Sequence, residues 1–250
     1  MPKHLNRRIF AMPEALNDLG SETGLSPQLC FQDMTNAFCG PVTAPASLPT
    51  CHSIIVAVAD PDEKRDTRLV PTTQSQPVAT KDIMWFPQTV KHIPDVYALL
   101  HAVLNCHVQT PIEPDSVLDR LAVQSRNTTT QQRAVLIQEA AALQKAYVST
   151  VVQSVWTKQI GMPGGLGEPA RISATLDRYY VFVVSAATGK IVCIDNISGV
   201  PVEVDNVLNG FDVDTTVITA GIADKIRSIV ASKKEDNVQA VVVGLVSRNA

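Results

Sequence analysis

Two stretches carry side chains of the types and spacing that acid–base or nucleophilic chemistry needs. The first is Gln88-Thr-Val-Lys-His-Ile-Pro-Asp95, where an amide, the His92 imidazole and the Asp95 carboxylate directly precede a helical pattern. The second is a hairpin: Tyr179-Tyr-Val-Phe-Val-Val-Ser and Lys190-Ile-Val-Cys-Ile-Asp are β-rich runs around Ala-Thr-Gly. A turn near residues 187 and 188 sets position 180 opposite position 195, so Tyr180 and Asp195 share one face of the ribbon. Together, Gln88, His92, Asp95, Tyr180 and Asp195 could line a polar pocket for acid–base chemistry without covalent attack. The plainer reading of His92 is an exposed loop histidine.

Nucleophilic chemistry would need a thiolate, commonly formed at a helix amino terminus beside an imidazole whose ring a third group holds. The five cysteines (30, 39, 51, 106 and 193) include no CxxC and no Cys/His pair at zinc spacing, so no metal and no cofactor are expected. Cys106 adjoins His107, yet neighbouring helical residues point apart. Cys193 lies on the strand face of Asp195, about 7 Å along. Packing is the reading for both. Gly164-Gly-Leu-Gly167 could suggest a phosphate cradle, but no GxxxxGK[ST] surrounds it.

The element that must position the first cluster begins at Val96. Leu99, Leu100 and Val103 gather on one helical face, and Asp95 is a plausible cap. The run Gln88-Thr-Val-Lys-His-Ile-Pro-Asp-Val-Tyr-Ala-Leu-Leu-His-Ala-Val-Leu-Asn105 resembles the nucleophile-bearing segment of the ubiquitin C-terminal hydrolases, in the papain-like cysteine protease class. Gln88, Thr89, Ala98, Leu99, His101, Ala102, Val103 and Asn105 match that pattern without a gap. The hairpin resembles the family's general-base segment when aligned on Thr188-Gly189.

The resemblance implies Gln88 as the oxyanion amide and Asp195 as the group that orients the base. It also puts Pro94 in the place of the nucleophilic Cys, Asp95 in that of the following Gly, and Tyr180 in that of the His. Proline offers no nucleophile. A phenol, with an ordinary pKa near 10, is a poor base at neutral pH. On helix rise, Cys106 sits roughly 18 Å from Pro94, at the wrong end of its helix.

Other elements can be read locally. Pro13 at a first turn and Gly20 just after an end bound a short helix. His52 to Ala59 is an apolar run of strand length. Asp60 to Lys81 reads as a surface insertion, and Thr157 to Ala174 as a Gly/Pro-rich loop that the resemblance makes a crossover loop. Asp115 can cap a helix through Leu121, and Thr128 opens one long helix through Leu143. Asp214 caps a helix bearing Ile218, Ile222, Ile226 and Ile229, and Val238 to Val246 is a strand buried on both sides.

The 250 residues, 45% hydrophobic and 18% charged, suit a folded globule, read here as a single domain. A net charge of −3 argues against a nucleic-acid partner. The absence of about 18 consecutive apolar residues argues against a membrane span. The amino-terminal run lacks an apolar h-region, so a cytoplasmic, reducing location is expected. The implied fold is an α/β papain-like domain, a central antiparallel sheet flanked by helices, and ubiquitin or a ubiquitin-like protein is the partner it suggests. Three functions compete: a relative without catalysis, an acid–base enzyme such as a cyclase or isomerase on a small-molecule metabolite, and a deubiquitinase working through a relocated Cys.

Overall fold

A computed structural model describes residues 13–39, 51–58, 82–90, 93–160, 178–196, 200–204, 220–234 and 240–248. Its elements in chain order are α1 (Pro13–Thr23), β1 (Leu29–Asp33), α2 (Thr35–Cys39), β2 (Ser53–Val58), α3 (Pro94–Leu104), α4 (Val117–Ser125), α5 (Thr130–Glu139), α6 (Ala141–Ile160), β3 (Arg178–Val184), β4 (Ile191–Asp195), β5 (Val202–Glu203), α7 (Ala220–Lys234) and β6 (Ala240–Ser247). The strands form one antiparallel sheet in the order β1-β6-β2-β3-β4-β5. This is the expected α/β architecture, with β6 inside the sheet, as its continuous apolarity required.

Both faces of the sheet are covered. Tyr179, Val181, Val183, Val192 and Ile194 pack against α3, α1 and the start of α6. Tyr180, Phe182, Val184, Ile191 and Cys193 pack against α2 and α7. Each fully buried Val, Ile or Leu contributes about 1.5–3 kcal/mol relative to exposure, so these two layers hold the hairpin from both sides. Among the described residues, no helix is long and apolar enough to cross a membrane.

Several expected boundaries shift, each for a local reason. Gly20 does not end α1 but lies inside it, where a Cβ would come within 2.9 Å of Leu25. Gly24 ends the helix instead, at φ +103, a conformation that costs glycine little. Ser116, not Asp115, caps α4: its side chain accepts from the Asp119 N–H. The long helix from Thr128 is two. Thr129 and Gln132 make a reciprocal capping box at the start of α5, and Ala140 then leaves helical geometry at ψ 72.

α6 continues through Ile160, so residues 157–160 are helical rather than loop. The rest of the expected crossover loop, the surface insertion from Asp60 to Lys81, and the segment from Asp214 to Ile218 lie outside the described residues.

Candidate functional site

The segment leading to α3, residues 82–90, pairs with no strand among the described residues, and side chains satisfy part of its backbone. The His101/Asn105 spacing of four puts both on one face of α3, where they meet this segment. Asn105 accepts from the Met84 N–H at 2.7 Å and donates to the Met84 carbonyl at 3.0 Å, imitating a neighbouring strand. The Phe86 N–H donates to His101 Nε2 at 3.0 Å, and Arg133 on α5 donates to the Trp85 carbonyl at 3.3 Å. Burial pushes His101 down to about 3, so the ring is neutral and structural. These anchors fix where Gln88 emerges.

Just beyond, Tyr97 is fully buried. Its hydroxyl accepts from the backbone N–H groups of Thr89 at 3.3 Å and Val90 at 3.2 Å, and it lies 3.4 Å from Thr89 Oγ1. One proton and two lone pairs are thereby used. Pro94 occupies the first helical position of α3 behind Ile93, where its missing N–H costs nothing. Asp95 is therefore not the cap but the second residue of the helix, buried, and its carboxylate accepts from the Tyr147 hydroxyl on α6 at 3.2 Å.

The hairpin keeps the expected register, with Tyr180 directly opposite Asp195. The pair, however, lies on the sheet face covered by α2 and α7, with Phe182 and Cys193, and not on the face packed against α3. There Arg178 donates to Asp195 at 2.6 Å, with both side chains almost fully buried, and its guanidinium lies 5.2 Å from the centre of the Tyr180 ring. Gln88 with Asp95 on one side, and Tyr180 with Asp195 on the other, are separated by the sheet and do not converge. His92 lies outside the described residues.

The hairpin residue that does meet Gln88 is Asn196, one position beyond Asp195, and it is tied to Tyr179, one position before Tyr180. Asn196 Nδ2 donates to Gln88 Oε1 at 3.0 Å, while its Oδ1 accepts from the Tyr179 N–H at 3.1 Å. Burial first, then the neighbouring Tyr97, Asp195 and Asp95, lift the Tyr179 phenol well above its ordinary range. It stays protonated at any working pH and cannot serve as a base.

Three of the thiols, Cys51, Cys106 and Cys193, are poorly placed for attack. Burial raises Cys106 to about 11 and Cys51 to about 12, and raises Cys193 further, with the nearby Asp195 adding to the effect. At neutral pH these are packed thiols. Among the described residues, no group of three His, Cys, Asp or Glu side chains could hold a metal ion.

Tyr97, Tyr147, Tyr179, Asn196 and Arg178 escaped the sequence reading. For Tyr179 and Asn196 a signal existed. Arg178 stands two residues before Tyr180 on the same strand face, so a carboxylate opposite Tyr180 is claimed by a cation. Tyr97 had none, since a tyrosine in an apolar helix reads as core.

Comparison with known proteins gives a consistent picture. A family model described as "Ubiquitin carboxyl-terminal hydrolase, family 1" matches residues 8–227. Ubiquitin carboxyl-terminal hydrolase YUH1 of Saccharomyces cerevisiae is 28% identical over 124 residues, covering 48% of this chain and 48% of the relative. The match thus spans about half the length of that curated relative. Among solved structures, Trichinella spiralis UCH37 bound to ubiquitin vinyl methyl ester superimposes with a TM-score of 0.60 at 10% identity, covering 94% of this chain and 79% of that one. The catalytic domain of the same protein, in complex with the same compound, gives 0.62 at 11% identity, covering 94% and 93%. At such identities the structural likeness speaks for the fold.

Proposed function

Because the chain belongs to ubiquitin carboxyl-terminal hydrolase family 1, we propose that it is a member without thiol-hydrolase chemistry that keeps a binding face for ubiquitin or a ubiquitin-like protein. The observation that carries this reading is the pair of surfaces meeting at Gln88. α3 begins with Pro94, and the hairpin offers a protonated phenol and an amide, Tyr179 and Asn196. Among the described residues, neither surface pairs a thiol with an imidazole.

Relocation of the thiol finds little support, since burial holds Cys106 and Cys193 protonated and places Cys193 on the far face of the sheet. The acid–base alternative needed Tyr180 and Asp195 beside Gln88 and Asp95, and the sheet lies between them. The ubiquitin half of the proposal leans on family membership and on UCH37, which was solved with a ubiquitin derivative.

Two measurements test it. A ubiquitin-derived electrophile is expected to leave the protein unlabelled, and an adduct on any cysteine would overturn the loss of catalysis. Titration with ubiquitin is expected to show saturable binding, and a Kd weaker than about 1 mM, some −4 kcal/mol, would remove the binding role.

A further inference from the structure

Two successive backbone N–H groups aimed at one oxygen make a donor pair of the kind that receives anions and carbonyl oxygens. In this chain Thr89 and Val90 form such a pair, and the oxygen they receive is the chain's own Tyr97 hydroxyl. Nothing about α3 itself requires a hydroxyl there. Tyr97 is flanked by Val96 and Ala98, its ring is packed in the core, and a phenylalanine would fill the same space. The hydroxyl serves the segment above it, where Thr89 is exposed and Val90 half-buried. On its other side, Gln88 Oε1 is held by Asn196. Residues 88–90 are therefore fastened at both flanks, to the amino-terminal part of α3 and to the end of the β3/β4 hairpin.

We propose that Tyr97 is a built-in occupant of an anion-receiving donor pair, and that it keeps residues 88–90 closed against an entering peptide carboxylate. The contact is autoinhibitory: a terminal carboxylate arriving between the segment and the hairpin finds both amides taken by the phenol. This rests on the ubiquitin-binding reading for its physiological ligand, whereas the donor pair itself does not.

The occupancy is tested with Tyr97→Ala, which leaves a ring-sized space ending at the two amides. Phenol is expected to bind this variant about tenfold more tightly than benzene, the worth of two amide hydrogen bonds, and to move the Thr89 and Val90 amide resonances. Equal affinity for the two compounds, or unmoved amides, would show that the pair makes no demand for an oxygen and would overturn the proposal. If Tyr97→Ala does not fold, Tyr97→Phe carries the same question through amide hydrogen exchange. Thr89 and Val90 should exchange about tenfold faster than in the unaltered protein, with α3 amides unchanged, and unchanged exchange at both would refute the latch.

The closure is tested by comparing ubiquitin bearing its free carboxylate with ubiquitin ending in an amide. Tyr97→Phe should gain about tenfold for the acid and little for the amide, whereas equal change for both sinks the inference while leaving ubiquitin binding intact. If neither form binds either protein but phenol is still preferred over benzene, the ubiquitin reading fails and the donor pair stands.

Discussion

Replacing Arg178 with Met asks whether Asp195 belongs to the α3 side of the sheet or to the α7 side. The guanidinium and the carboxylate meet at 2.6 Å with side-chain exposures of 5% and 2%. Removing one member of so dry a pair takes from the other its close, buried charge partner, a loss of about 3–5 kcal/mol. For a domain of this size, that corresponds to a fall in Tm of about 6–20 °C. Met keeps most of the aliphatic bulk over the Tyr180 ring, so little of the loss comes from packing. Asp195→Asn should cost a similar amount by removing the carboxylate charge that faces the guanidinium.

The double replacement Arg178→Met with Asp195→Leu should be milder than either single change, because an apolar pair of similar volume owes no desolvation. Urea denaturation followed by circular dichroism, run as a double-mutant cycle, would measure this with a favourable coupling of about 2 kcal/mol or more between the two sites. Single losses below about 1 kcal/mol, the range of exposed pairs, would refute the burial argument. They would also return Asp195 to consideration as a partner for groups near Gln88.

Three further outcomes follow from the same geometry. Pro94→Cys combined with Tyr180→His should not react with a ubiquitin electrophile, because the new imidazole would face α2 and α7; Pro94→Cys with Tyr179→His, beside Asn196, is the pairing expected to label, and labelling of the first pair alone would reverse the assignment of faces. Burial holds His101 near 3 while the unfolded chain protonates it near 6.5, so its contribution is whole above pH 6.5 and is lost as pH falls toward 3, at about 1.4 kcal/mol per pH unit; the pH slope of stability between 6 and 4 should be steeper than in His101→Gln, and equal slopes would refute it. Asn105→Ala should cost about 1–3 kcal/mol by orphaning the Met84 backbone, with faster amide exchange at Met84 than at the β6 amides, and undisturbed exchange there would count against the strand-mimic role.

Much of the scaffold was legible because its signals are periodic or local. The apolar run of β2 and the Thr188-Gly189 turn each fix an element by short-range chemistry. The helix break at Ala140 was not legible, since alanine favours helix. The start of α3 was misjudged because a carboxylate before an apolar run reads as a cap, whereas proline is better suited to the first turn and moves the helix start back to Pro94.

In a strand with one wet face, alternation says which residues look inward, and a slip of one residue is visible. β3 is buried at all of its positions from Arg178 to Val184, so its sequence has no alternation to read. The pairing of Tyr180 with Asp195 could be derived, but not the face on which the pair lies. Only a residue that could not be left alone in a core breaks that symmetry. Arg178 is such a residue: placed two positions before Tyr180, it must find a carboxylate on the Tyr180 face, and Asp195 is the one that strand pairing delivers. The charge thus assigns one face to an ion pair and leaves Asn196, tied to the Tyr179 backbone, to meet Gln88 on the other.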